Sequence, residues 1–454
     1  MRTLFNLLLI TLLTIAFWAC DALVEDIEEP IDSVDSEELT SADDIEVLIN
    51  GVEARFNNTN DNLTVLSSLL SDQFVFGGEL GGGATFPTYA NLNAGAPQDD
   101  SNSIDAAMNY LGEYLFLADD LLDRVEDVDQ LDPDQGGFTE AQEAGVRQNA
   151  LFVGNFHGGL ARYFWATYFG RDFREGGGVI SELEEPSDPS RGDFIPSDEM
   201  YELALDKFEE AETYATEYEM KVMNTIRARI YLYQNDLETA ESYAEAGLES
   251  GDSPYQSMYM DRSGNQQNEW FSAGGPGRTQ MVVSPRFVTG EEYLNALEDS
   301  AVSTPESARI PVFDATTTGT ASIDDGFPWA QGIYVERDIS IDFATWQENE
   351  LILAEIDYRR HDDEDSAIDR VNEVRSSHIF DGEPLAELNE INLNDIYVER
   401  DKELFTMGHR LPDQRRAENY DLDVEPESHY WHLGEDTWRY LRITLEETED
   451  NPNL

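Results

Sequence analysis

The sequence predicts a mainly α fold in which helical hairpins build a scaffold that carries long irregular loop insertions. Three observations predict it. Apolar residues recur at helical spacing before residue 250 and again after residue 346. Two of these periodic stretches are short-linked pairs of helices with alanine where the helices cross. Between them, residues 251–345, like 74–104, are rich in Gly, Pro, Ser, Thr and Asn with scattered aromatics. Loops of that length within a compact domain are usually functional.

The chain opens with Arg2 and an apolar run from Leu4 to Trp18. A membrane span needs about twenty residues, so this run reads as the h-region of a signal peptide over 1–19. It ends at Ala19-Cys20, the only cysteine. A lone Cys excludes an internal disulfide and any Cys-rich metal site. At the end of an h-region it looks like the lipobox of a bacterial lipoprotein, so Cys20 is the expected lipidation site and mature N-terminus. Several acyl chains at about 0.8 kcal/mol per buried CH₂ anchor a protein firmly. Residues 20–45 are acidic and aperiodic, a solvated tether.

The folded part divides into a helical region at 46–250, a loop-rich candidate ligand face at 251–345 and a second helical region at 346–454. A helix over 143–169 carries Val146, Leu151, Phe156, Leu160, Tyr163 and Phe164, and Trp165 belongs to its core stripe. In 197–216, Ser197 is the expected N-cap, and Tyr201, Leu205, Phe208, Ala211 and Ala215 form one stripe. A helix at 221–234 (Val222, Ile226, Ile230, Tyr233) turns at Asn235-Asp236 into another carrying Leu237, Ala240, Ala244 and Leu248. This pair is similar to a tetratricopeptide-type hairpin. Residues 350–375 repeat it: Ala354 precedes Ala367 by thirteen positions as Ala228 precedes Ala240 by twelve. The acidic run Asp362 to Asp365 falls in the turn, as solvated turn or cap.

Composition removes whole classes of function. With 95 Asp+Glu against 28 Lys+Arg, the net charge is −67, while 40% hydrophobic residues exclude a wholly disordered chain. Nucleic acid and anionic membrane surfaces need basic patches that this composition does not offer. Only Lys207, Lys221 and Lys402 are lysines. Self-repulsion of this size is screened at molar salt, where the Debye length is roughly 3 Å against about 8 Å at physiological strength. A saline working environment follows.

No catalytic constellation stands out, and the protein reads as a non-enzyme without a cofactor. Gly81-Gly82-Gly83 lacks the Lys-Ser/Thr of a phosphate loop, and no G-x-S-x-G occurs. His429 and His432 with Glu435 have a zinc-like spacing that aromatic packing or surface placement explains better. A weak calcium candidate is Asp132, Asp134 and Glu143, with Gly137 at position 6 of an EF-hand-like loop and Gly136 where an acid belongs.

Against the acidic background, 395–416 (DIYVERDKELFTMGHRLPDQRR) holds Arg400, Lys402, Arg410, Arg415 and Arg416, nearly balanced by Glu399, Asp401, Glu403 and Asp413. Paired charges of this density lock a helix end to the following turn. The segment resembles the C-terminal signature of the SusD/RagB family, of the form ER-x-x-EL-x-x-EG-x-R-x-x-D-x-x-R. Glu399, Arg400, Glu403, Leu404, Gly408, Arg410, Asp413 and Arg416 fall on it, and Met407 departs from its acid. Residues 367–375 look like the family's L-N-x-V-R helix, Glu350 to Glu355 like its E-x-x-L-x-x-AE helix, and 147–170 more loosely like its aromatic helix.

The resemblance implies a SusD-like α/α superhelical fold in a surface-exposed outer-membrane lipoprotein without catalysis. Such a protein binds a glycan or a peptide for import and acts as the lid of a SusC-like TonB-dependent β-barrel transporter. No ligand residue is carried over from the family. Sugar rings stack on flat aromatics and need Asn, Gln, Asp or Arg partners for their hydroxyls. The candidates are therefore Tyr89 with Asn91 and Asn93, Trp270 with Gln267 and Asn268, and Trp329 with Tyr334 around Gln331. An envelope-anchored tetratricopeptide-type scaffold that binds protein rather than nutrient remains as the alternative.

Overall fold

The computed structural model describes residues 39–76, 87–179, 194–261, 267–277, 279–289, 304–315, 329–424, 436–445 and 448. The leader with Cys20, most of the tether, Gly81 to Gly83 and the His429, His432 and Glu435 group lie outside the described residues. No helix among the described residues is long and apolar enough to cross a membrane.

Four long helices come first: α1 (Ile45–Leu70), α2 (Asn102–Asp129), α3 (Gln148–Tyr168) and α4 (Ser197–Ala211). The hydroxyl of Ser101 starts α2 by accepting the Ile104 N–H at 3.3 Å. Below it Ile104, Met108, Leu111 and Leu115 are buried in one stripe. Helix α3 is buried along almost its whole length, including Trp165. Phe56 of α1 lies at the meeting point, with its ring centroid 6.1 Å from Tyr114, 5.4 Å from His157 and 6.3 Å from Phe164. Gly159 lets α3 approach α4, because a Cβ there would come within 2.6 Å of Phe208. Ser197 differs from its expected role. Pro196 occupies the capping position, and the Ser197 hydroxyl accepts the Gly177 N–H at 2.9 Å instead. It ties a neighbouring turn to the helix.

Helix α5 (Glu217–Tyr233) begins four residues earlier than its apolar stripe predicts, because Thr216 and Glu219 form a capping box. Asn235 at φ 61° makes the tight turn, and Asp236 caps α6 (Leu237–Ala244). Helix α6 ends before Leu248. Ala228 and Leu232 of α5 meet Ala240 and Ala244 of α6, and Ile352, Leu353 and Ile356 of α7 (Trp346–Ile356) cover both. The second hairpin repeats this plan. After α7, Asp362 turns at φ 55° and Asp363 accepts the Ser366 N–H at 3.0 Å to start α8 (Glu364–Ser376). The acidic run is thus a turn and a cap. Ala367, Val371 and Val374 of α8 pack with Leu351 and Ala354 of α7 and with Ile396 of α9 (Leu393–Glu403), which α10 (Arg410–Asn419) follows.

The loop-rich region is less irregular than its composition predicts. Tyr255–Ser257 pairs antiparallel with Ile341–Ala344, and Val312–Asp314 with Trp329–Gln331. Phe74–Phe76 pairs with Met281–Val283, so backbone hydrogen bonds join this region to the end of α1. One apolar core includes Ile45, Phe56, Trp270, Phe405 and Ile443. The calcium-like loop does not form. Pro133–Gln135 is a 3₁₀ turn, Gly136 is left-handed at φ 104°, and Thr139 with Gln142 starts a separate capping box. These two turns keep Asp132, Asp134 and Glu143 exposed and apart. No group of three or more metal-ligating side chains occurs among the described residues.

Candidate functional site

The charged signature segment is almost wholly buried, and its charges are matched. Arg416 spans Glu355 with two bonds of 2.6 and 2.7 Å and reaches Asp413 at 2.8 Å. Arg400 donates to the same Asp413 at 3.1 and 3.2 Å. Arg229 of α5 holds Glu348 of α7 with two 2.6 Å bonds, both side chains fully buried. Arg410 clasps Asp72, just beyond α1, at 2.8 and 3.0 Å. Burial opposes the ionised forms of Glu348, Glu355 and Asp413, but the adjacent guanidinium groups outweigh it and hold all three below their ordinary values. Pairs of this kind clamp α5, α7, α9 and α10 to α1.

Glu399 marks the outer edge of this network. It accepts Arg309 at 2.8 Å and Arg375 at 2.7 Å, with Lys402 at 3.5 Å. Burial raises its carboxyl, yet Arg309, Lys402 and Arg375 together bring it down to about 2. One turn on, Glu403 receives His378 Nε2 on both oxygens, at 3.0 and 2.8 Å.

Beyond Glu403 the chain turns sharply, and the turn forms one wall of a cleft of about 320 Å³. Thr406 stands at φ 70°, an uncommon conformation for a β-branched residue. Gly408 follows at φ 82°, where a Cβ would lie 2.5 Å from the Tyr168 hydroxyl, so the signature glycine is required by space as well as by φ. Phe405, Thr406 and Met407 line it together with Ile333, Tyr334, Pro311 and Arg309, and the Tyr334 and Thr406 hydroxyls lie 3.2 Å apart. Asp342, Thr345 and Gln347 supply the polar side from the strand and helix start that follow the loop region. Asp342 accepts Gln256 Nε2 at 2.7 Å. Burial pushes its carboxyl up, Gln256 opposes, and the charge of Glu403 adds to the rise. The cleft thus combines an apolar lining, of which Ile333 is half-buried while Tyr334 and Phe405 are 4% and 3% exposed, with a few polar groups, a make-up found in small-molecule sites.

Of the sequence-predicted ligand residues, only Tyr334 lines this cleft. Trp270 is fully buried, its indole N–H donating to Thr64 at 3.1 Å and its ring stacked on Tyr334 at 6.1 Å. Trp329 and Tyr89 are 9% and 4% exposed, so neither presents a ring face to solvent. The amides that seemed poised for sugar hydroxyls serve the backbone. Asn268 caps the Trp270 turn, Gln331 accepts the N–H groups of Ile333 and Tyr334, and Asn93 accepts that of Phe76. Buried loop backbone must find partners somewhere, and these side chains provide them. Asn91 is half-buried in the short helix Pro87–Asn93, away from the cleft-lining residues. Arg309, Asp342, Thr345, Gln347 and His378 were missed because they come from three separate stretches that only folding brings together. Within the signature, Glu403 and the departure at Met407 were the available signals.

No protein-family model and no curated protein sequence matches the chain. Solved structures do. A SusD superfamily protein from Bacteroides fragilis superposes with a TM-score of 0.66 at 14% identity, over 91% of this chain and 99% of that one. Another from Bacteroides vulgatus gives 0.65 at 12% identity, over 91% and 98%. Surface glycan-binding protein A from Bacteroides uniformis gives 0.60 at 15% identity, over 90% and 98%. The helical hairpins, the buried C-terminal charge clamp and this superposition over nine-tenths of the chain agree: the protein has the fold of the SusD superfamily.

Proposed function

We propose that the protein is a lipid-anchored, cell-surface carbohydrate-binding protein of SusD type, which captures a glycan oligomer and passes it to a TonB-dependent barrel. The observation that carries this reading is the fold shared over 90% of the chain with a protein described as surface glycan-binding. The expected lipid anchor at Cys20 supports the location. The cleft bordered by the half-buried Ile333, Asp342 and Gln347 is the position we assign to a sugar ring. Calorimetry of the chain from residue 21 onward with a panel of neutral, amino and acidic oligosaccharides tests the reading. Binding of one class without hydrolysis is expected. Binding of peptides alone moves the ligand class from glycan to peptide. Binding of neither, together with capture of a protein partner, turns the assignment to the scaffold alternative. Purification from native membranes tests delivery, with co-elution of a TonB-dependent barrel as the expected outcome.

A further inference from the structure

The polar side of the cleft is asymmetric in charge, and that asymmetry selects among carbohydrates. We infer that the cleft takes a sugar ring bearing a protonated amine, with the Asp342 carboxylate as counter-ion to the ammonium group. This inference rests on the carbohydrate reading above. Arg309 is already saturated, by Glu399 at 2.8 Å, by Glu306 on Nε at 3.0 Å and by a second bond to Glu306 from Nη2. Glu403 has both oxygens on His378. Asp342 alone among the charged lining groups has no charged partner among the described residues, its hydrogen bond coming from the neutral Gln256 amide.

A partly buried carboxylate without a cation is poorly solvated, and Glu403 adds repulsion, which the upward shift of the Asp342 carboxyl reflects. A ligand ammonium group placed against it relieves both and forms a charge-assisted hydrogen bond, roughly twice as strong as a neutral one. A neutral ring leaves the charge as it is. An anionic ring meets Asp342 and Glu403 inside a chain of net charge −67 and is repelled. The rest of the lining suits a sugar. The half-buried Ile333 offers an apolar contact for ring C–H groups, while the half-buried Gln347 amide has a donor and an acceptor for hydroxyls. A volume of 320 Å³ lies at the small end of ligand sites, enough for one ring and its substituents.

Titration calorimetry of the mature chain in molar NaCl, which suppresses non-specific attraction to the acidic surface, decides the matter. The probes are β-1,4-linked trimers of glucosamine, N-acetylglucosamine and glucose. The glucosamine trimer is expected to bind about tenfold or more tighter than the other two. Asp342→Asn, which keeps an acceptor for Gln256, is expected to erase that difference while the melting temperature stays unchanged. Equal affinity for the three trimers, or a preference that survives Asp342→Asn, overturns the amine assignment and leaves the carbohydrate reading in place. Absence of binding to these trimers and to the wider oligosaccharide panel removes both. Binding of a lysine-bearing peptide in place of the amino sugar, with the same sensitivity to Asp342→Asn, also overturns the inference. The comparison of trimers on the unaltered chain stands by itself should the variant fail to fold.

Discussion

Helices α1 to α4 and helices α7 to α10 are equally dry, yet different forces hold them. In the first group Phe56, Tyr114, His157 and Phe164 mesh as rings, and the contact is non-directional. In the second, Glu348, Glu355 and Asp413 are met by Arg229, Arg416 and Arg400 in forked geometry. A forked pair fixes the distance and rotation of the two elements it joins, which a cluster of rings does not. The contrast teaches where the few cations of an acidic chain belong. Arg227, Arg229, Arg400, Arg416 and Arg439 are among its largest fully buried side chains. Several of the few cations thus sit in the interior, each beside an acid or a backbone carbonyl.

The sharpest way to break the contrast is to remove one member from each group. Arg229→Met leaves Glu348 ionised and buried, and is expected to lower stability by about 3–5 kcal/mol. The double variant Arg229→Met/Glu348→Leu should recover most of that loss, because two apolar side chains replace the pair. Phe56→Ala is expected to cost a similar 3–5 kcal/mol through the cavity it leaves, with no partner change to rescue it. Urea midpoints read all three. Failure of the double variant to recover would show that the pair contributes more than mutual neutralisation.

Acid comes next and separates the groups by sign. Glu399 is held at about 2 in the folded chain against 4.5 as a free carboxylate. Its stabilisation is complete above about pH 4.5 and is lost as pH falls toward about 2. Hydrogen-exchange protection of α9 should therefore fall over that window before protection of α2 and α3 does. Simultaneous loss in both groups would contradict separate adhesion.

The apolar group contains one exception that sharpens the rule. Asp61 of α1 accepts the Glu269 N–H at 2.9 Å, and burial raises the Glu269 carboxyl to about 7. A raised carboxyl favours the fold below about pH 4.5 and loses that contribution as pH rises through about 7. Glu269→Gln should thus gain about 3 kcal/mol at pH 8 and nothing at pH 4, measured as the difference in unfolding free energy at the two pH values. At the small end, Arg147 and Asp129 pair at 2.6 Å on the surface, each about a third exposed. Arg147→Ala is expected to change stability by only about 0.2–1 kcal/mol, less in high salt.

Much of the scaffold was legible because its signals are local. Alanines at the crossings marked both hairpins, Asn235-Asp236 marked a turn, and the pattern from Glu399 to Arg416 marked the clamp. The loop aromatics were misread for the opposite reason. Trp270 beside Asn268 has the residue types of a sugar contact, but the same types also cap a buried turn, and only the neighbours Thr64 and Tyr334 decide between the two. The cleft was illegible because Arg309, Asp342, His378 and Glu403 lie far apart along the chain.

By itself the sequence determined the class of the fold, its two hairpins, its acidic exterior and the segment whose charges must neutralise one another. Those properties follow from periodicity and composition, which act residue by residue. Tertiary structure alone decided which side chains are dry, which arginine meets which acid, and that Asp342 lines a cleft with no charged partner among the described residues. Burial and charge pairing belong to distances across the fold, and chain spacing does not encode them.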